Sequence, residues 1–270
     1  MISFRSYITE TADTEVCRMF SSKSNPVLSV ERGRSNWAHL PQGWILHAFN
    51  RWSDEGRSEK NASELAPRQH PVIDAVFDCP NRADWSKCER GAAIYRGLWR
   101  TYDQLAAMKP KFTVLTNLLP TGRQGQGDWI HGTGTYASRL PLHSWTREFV
   151  LARPFAGGAH IMRPDVINTV RMVMQHRVTD PNATIELDKV SAFLENTGEK
   201  EVIFNSSGMR SMQVEFVINM RDILYAAHYR RSKGMKDIRE ILATLVGKEN
   251  ADVLMQKQAF VTMLDSEKLL

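Results

Sequence analysis

Residues 201–227 read EVIFNSSGMRSMQVEFVINMRDILYAA, and the change of period inside this stretch decides the fold class. Over Ser211–Ile218 the apolar residues Met212, Val214, Phe216 and Ile218 fall at every second position. Alternate residues of a strand share one face, so this spacing predicts a half-buried β-strand. From Asn219 onward the apolar positions become helical: Ile223, Leu224 and Ala227, then Ile238, Ile241, Leu242 and Leu245. A strand-rich core followed by a helical tail is an α+β order, and it disfavours a doubly wound parallel sheet.

Working outward, two more β-like segments precede this one, at Val170–Val178 and Glu201–Asn205. Ala92-Ala93-Ile94-Tyr95 is a short apolar run that we expect to be a strand ending at Arg96-Gly97. Helical spacing recurs at Trp44, Ile45, Ala48, Phe49 and Trp52, and again at Val72, Ile73, Val76 and Phe77. Thr101–Met108 is expected to be a helix closed by Lys109-Pro110, and Arg147–Phe155 a second one. The five glycines between positions 120 and 138 predict a long loop or a series of turns there. Residues 1–40 are polar and turn-rich and are expected to be a flexible N-terminal segment. The expected organisation is therefore 1–40, a domain over 41–218, and a helical C-terminal extension over 219–270.

Composition narrows the class. The chain of 270 residues is 42% hydrophobic and 24% charged, with a formal net charge of +5, which is the balance of an ordinary globular protein. No run approaches the roughly 18–20 apolar residues of a membrane span, so no membrane partner is expected. Met1 to Glu10 lacks the apolar centre of a secretory signal. Cys17, Cys79 and Cys88 are too few for a disulfide framework and lack zinc-site spacing, so all three are expected as reduced thiols. His131, His143 and His160 show no ligand spacing, and no metal is expected.

Three short features carry chemistry. Tyr95-Arg96-Gly97 sets a guanidinium, which can hold phosphate oxygens in bidentate fashion, beside a glycine that admits a close backbone approach. Ser144-Trp145-Thr146 would project both hydroxyls to one side if it were a strand, and would cap a helix otherwise. Glu199-Lys200-Glu201 runs into a strand, where alternation would turn both carboxylates to one cleft and let the pair divide acid–base work. A surface ion pair, a helix cap and a solvated acidic turn explain the same three features taken singly.

In their order and spacing, the three resemble the signatures of the Arg–Ser–Glu class of mono-ADP-ribosyltransferases: an Arg on the first core strand, a Ser-Thr-Ser-like triplet, and a Glu-X-Glu. The resemblance spans roughly residues 92–218. The triplet departs from the family pattern, with Trp145 and Thr146 where Thr and Ser are usual, but a hydroxyl survives at its third position. The resemblance implies an ADP-ribosyltransferase-like core of two packed β-sheets with flanking helices, and NAD+ as the substrate. It implies that Arg96 holds the NAD+ phosphates, that the Gly97 backbone binds the nicotinamide amide, and that Ser144 orients Glu201 with Thr146 in support. Glu201 would be the catalytic carboxylate. Glu199 would orient an arginine acceptor, with Phe193 and Asn196 on the acceptor-recognition turn, and Arg153 would reach a phosphate.

Met1-Ile2-Ser3-Phe4-Arg5-Ser6-Tyr7-Ile8-Thr9-Glu10 resembles the head-targeting peptides of tailed-phage internal proteins, cut after Ile/Leu-X-Glu; an amphipathic first turn explains the same letters. Together with the three motifs it is similar to the Alt/Mod transferases of tailed phages. That likeness implies action in the host cytoplasm, or packaging in the virion and injection. The implied partners are host acceptor proteins, such as RNA polymerase or ribosomal and translation proteins. Two other functions fit the same residues. One is a non-enzymatic basic internal or DNA-binding protein, and the other is the same fold acting on RNA or nucleobases. In the tail, Arg230, Arg231, Lys233 and Lys236 belong either to a helical cap on the domain or to a docking element for a partner or nucleic acid.

Overall fold

The computed structural model describes residues 16–21, 71–115, 129–137, 142–157, 166–190, 200–206, 209 and 211–270. The expectations for residues 1–15 and 22–70, including the targeting peptide and the Trp44–Trp52 helix, lie outside these residues. The described elements mix α and β: strands β1 (Ala93–Thr101), β2 (Lys111–Leu115), β3 (Trp129–Tyr136), β4 (Leu142–Thr146), β5 (Thr169–Arg177), β6 (Thr184–Glu186), β7 (Glu201–Asn205) and β8 (Met212–Asn219), with helices α1 (Pro71–Asp78), α2 (Tyr102–Ala107), α3 (Phe149–Gly157), α4 (Leu187–Val190), α5 (Met220–Ser232), α6 (Ile238–Val246), α7 (Lys248–Met255) and α8 (Gln258–Ser266). No described helix is long and apolar enough to cross a membrane.

The chain divides into two compact bodies, one of Met1–Ile94, Ser138–Glu148 and Arg177–Met209 and one of Tyr95–Ala137, Phe149–His176 and Arg210–Leu270. In the first body β7 pairs antiparallel with both β4 and β6. Its core joins residues 16–20 to α1 and β7: Val16, Met19 and Phe20 pack with Ile73, Ala75, Val76, Ile185 and Ile203. This contact overturns the expectation of three reduced thiols, because it sets Cys17 against Cys79 and the two form a disulfide, their Cα atoms 5.3 Å apart. The partners lie 62 residues apart in sequence, so no local spacing announces them. Cys88 is the free thiol, buried.

In the second body β3 pairs antiparallel with β2 and β8, and β8 with β5. The buried face of β8 is the one its alternation predicts, Met212, Val214, Phe216 and Ile218. The glycine-rich stretch differs from expectation: its second half is strand β3, not loop. The reason is steric. A Cβ at Gly132 would sit 2.7 Å from the Phe216 ring, and one at Gly134 would lie 2.9 Å from the Met108 carbonyl. The ring of Phe216 thus occupies the space that side chains would need. β1 also differs, running past Arg96-Gly97 to Thr101. There the Thr101 hydroxyl accepts from the Gln104 N–H and the Gln104 side chain accepts from the Thr101 N–H, a capping box that turns the strand into α2.

The C-terminal helices are built into this second body. Asp222, in the first turn of α5, is buried and takes a forked hydrogen bond from the Arg171 guanidinium (Nη2–Oδ1 2.7 Å, Nε–Oδ1 3.0 Å) and another from the Arg171 backbone N–H. The Tyr102 hydroxyl donates to the Asp222 carbonyl. Asn250 of α7 accepts from the Phe112 N–H and donates to the Pro110 and Val246 carbonyls. Gly247 holds a φ of 88°, a left-handed value that lets α6 pass directly into α7.

Two predictions follow from this packing. Asp222→Ala leaves the Arg171 fork without its carboxylate, and should lower unfolding stability by about 3 kcal/mol in urea titrations; a loss near zero would mean the pair contributes nothing. Burial holds the His176 imidazole below its ordinary value of 6.5, the Gln213 carbonyl that accepts its Nδ1–H partly opposing this. The unfolded chain then takes up a proton at higher pH than the folded one, so the His176 contribution is intact above pH 6.5 and declines as the pH falls below it. His176→Gln should flatten the urea midpoint between about pH 7.5 and pH 5, and an unchanged slope would contradict this account.

Candidate active site

β4 and β7 carry two of the three motifs. Their register sets Thr146 opposite Glu201 and Ser144 opposite Ile203. Residues directly across an antiparallel pair share a face, so Ser144, Thr146, Glu201 and Ile203 lie on one side of the ladder. Ile203 and Thr146 are buried there, while Ser144 is exposed and Glu201 half-buried. On the opposite side Trp145 packs edge-on against Phe204 at 6.1 Å, which anchors the pairing. Beside the buried Ile203 and Thr146 the Ser144 hydroxyl donates to Glu201 Oε1 at 2.6 Å. A hydroxyl-to-carboxylate bond of this length is charge-assisted, and it fixes both the rotamer and the aim of the second carboxylate oxygen.

The residues flanking the pair hold it in register. Lys200 has a φ of 44°, a left-handed conformation that a non-glycine residue adopts at a cost. Its carbonyl accepts from the Arg147 N–H at 3.1 Å and its ammonium pairs with the Glu148 carboxylate. The Glu148 N–H in turn donates to Thr146 Oγ1. Arg147 bonds the buried carboxylate of Glu186, which Lys189 also meets at 3.0 Å. None of these five contacts was anticipated from sequence. Because β7 begins at Glu201 and Lys200 is not extended, the alternation that predicted a common face for Glu199 and Glu201 stops at Glu201. Glu199, Phe193 and Asn196 themselves lie outside the described residues.

The Cys88 thiol, near Glu186, is pushed up to about 12 by burial and then by that carboxylate. It is held in the protonated form at neutral pH. Among the described residues no group of three or more His, Cys, Asp or Glu side chains could hold a metal ion. His143 is buried and hydrogen-bonded to Ser206, and His131 meets Thr113 and Glu215.

Arg96 and Gly97 belong to the second body and point to opposite sides of β1. The Gly97 side is covered by α3. A Cβ there would lie 1.9 Å from the Ala152 carbonyl oxygen and 2.6 Å from the Ala156 nitrogen, with Tyr95 edge-on to Phe149 beside it. The close approach that demands glycine at 97 is therefore made by a helix backbone. On the other side Arg96 is half-buried, its enclosed Nη1 has no hydrogen-bond partner among the described residues, and burial lowers its pKa. Tyr136 opposes that shift and Arg100 adds to it. Arg100 donates to the Tyr136 hydroxyl at 3.3 Å and lies 5.5 Å over its ring. A guanidinium with an enclosed, unused donor, beside a second cation, is a place where an anion relieves both desolvation and repulsion. Sequence reasoning missed Arg100 and Tyr136. Had β1 been carried to Thr101, the same-side spacing of 96 and 100 would have exposed the first of them. Arg153 stands partly buried on α3.

Comparison with protein-family models, with curated proteins and with solved structures finds no match.

The Gly97 packing yields a direct test. Gly97→Ala drives a methyl group into the α3 backbone and should destabilise the chain by about 3 kcal/mol in chemical denaturation. An alanine variant as stable as the parent would show that α3 does not approach β1 this closely.

Proposed function

We propose that this chain is an NAD+-dependent mono-ADP-ribosyltransferase that modifies arginine side chains of proteins, with Glu201 as its catalytic carboxylate. The observation that carries the proposal is the 2.6 Å hydrogen bond from Ser144 to Glu201. Two motif residues far apart in the chain come together as a serine-oriented carboxylate, half-open to solvent. The unpartnered Arg96 Nη1 adds support as a donor suited to a phosphate oxygen. The finer fold, a two-sheet transferase core, belongs to the same proposal, as does action on host transcription or translation proteins.

In this mechanism NAD+ is the sugar donor. The bond between the ribose C1′ and the nicotinamide nitrogen breaks, and nicotinamide departs with the bonding pair. Positive charge develops on the ribose as an oxocarbenium-like centre. The Glu201 carboxylate, fixed by Ser144, accepts a hydrogen bond from a hydroxyl of that ribose and stabilises the charge electrostatically. An acceptor guanidinium nitrogen then bonds to C1′, and its proton passes to Glu199. The resemblance assigns Arg96 to the phosphates of the donor. Tight anchoring matters here because misplacement of the carboxylate forfeits most of its effect.

Labelled NAD+, the purified chain and a bacterial lysate provide the test. Label is expected on protein arginines, with nicotinamide released in proportion. Glu201→Gln should lower both transfer and NAD+ hydrolysis by roughly 10²–10³-fold. Glu199→Gln should lose arginine transfer while hydrolysis persists. Absence of both label and released nicotinamide with the parent chain would refute the proposal, and equal loss of both activities in the Glu199 variant would remove arginine as the acceptor.

A further inference from the structure

The outward face of α5 is used by none of the chemistry above. The helix buries Ile223, Leu224, Ala226 and Ala227. On its outer side Arg221, Tyr225, Tyr229 and the C-capping Lys233 recur every four residues, all exposed. An amphipathic helix normally turns charged or small polar groups to water. Here two aromatic rings stand out instead, Tyr225 at 60% and Tyr229 at 41% exposure. At 1.5 Å of rise per residue the stripe is about 18 Å long, a cation at either end and the rings between.

Along the helix and its C-terminal turn the charge is predominantly positive. Between Met220 and Lys236 the cations are Arg221, Arg230, Arg231, Lys233 and Lys236, and the one carboxylate is Asp222. Asp222 faces inward and is taken up by Arg171. At the flank Glu267 of α8 meets His228 at 3.3 Å and the Arg231 guanidinium donates to the Lys268 carbonyl, so these groups border the stripe. Lys233 Nζ stands 5.5 Å over the Tyr229 ring, beside the surface a second ring would stack on.

We propose that this face of α5 binds single-stranded nucleic acid. Tyr225 and Tyr229 stack on unpaired bases while Arg221 and Lys233 meet the flanking phosphates. Exposed rings separated by one helical turn, with cations on either side, suit a ligand that alternates flat apolar faces with regular negative charge. A duplex offers the charge but keeps its bases stacked inside. An acidic peptide offers the charge without the faces. A membrane surface would call for a broad apolar face, whereas the stripe offers two separated tyrosine rings. The inference stands apart from the transferase proposal, since no residue of the stripe takes part in it.

The experiment is fluorescence anisotropy of the full chain with a labelled oligothymidylate of roughly 15 nucleotides, at several salt concentrations. Saturable binding is expected, weakening with salt. Tyr225→Ala and Tyr229→Ala should each weaken it about tenfold, while Tyr225→Phe and Tyr229→Phe restore it. Lys233→Ala should reduce the slope of log affinity against log salt by about 0.7. No binding, alanine variants that bind as the parent does, a duplex of equal length bound as tightly, or equally effective displacement by polyglutamate would each overturn the proposal.

Discussion

The antiparallel pairing of β4 with β7 is the constraint on which the candidate site depends. It fixes Thr146 opposite Glu201, and from that register the Ser144 hydroxyl reaches Glu201 and no other carboxylate on the ladder. A slip by one residue would turn Glu201 to the Trp145–Phe204 side, where an unpaired carboxylate would be costly to bury. Packing on both sides of the pairing, Trp145–Phe204 on one and Ile203 on the other, thus enforces the polar contact at its exposed end. The ion pair between Lys200 and Glu148 and the backbone bond from Arg147 to Lys200 act on the same register from just outside it. The exposed ion pair adds little stability by itself; its effect is to hold the left-handed Lys200 turn from which β7 departs.

A different logic governs the second body. Gly97 lets α3 lie directly on β1, and the strand's alternation then directs Arg96 and Arg100 away from that helix. Enclosing one nitrogen of a guanidinium without a partner is unfavourable, and here the neighbouring Arg100 makes it more so. Such an arrangement is stable to the extent that the rest of the body over-determines it. The Arg171–Asp222 fork, the Asn250 bonds and the Phe216 packing over Gly132 supply that determination. The C-terminal helices are therefore structural partners of β2 and β5.

Much of the fold was legible where one periodicity dominated. β5, β7 and β8 were expected within a residue or so of their ends, α1 came from apolar spacing, and α2 was expected as a helix closed by Lys109-Pro110. Misreadings arose where a distant side chain overrode local preference. Glycines at 132 and 134 look like loop until the Phe216 ring is set against them, and Cys17 and Cys79 look unpaired until residues 16–20 pack on α1. In the candidate site, Ser144 and Glu201 were singled out through a family resemblance and not through spacing, since a bond across 57 residues leaves no local trace. Arg100 escaped because β1 was ended too early, and Tyr136 because the stretch that forms β3 was expected to be loop. Lys200 escaped because its backbone conformation is no property of the letters around it.

The central claim is that Ser144 serves Glu201 in the departure of nicotinamide. It is tested most directly by single-turnover nicotinamide release from saturating NAD+, comparing the parent chain with Ser144→Ala and Ser144→Thr. The account predicts that Ser144→Ala binds NAD+ within a few-fold of the parent but releases nicotinamide at least roughly tenfold more slowly, and that the threonine hydroxyl recovers part of the rate. Release by Ser144→Ala at the parental rate would contradict it, because the hydrogen bond to Glu201 would then have no part in the chemistry.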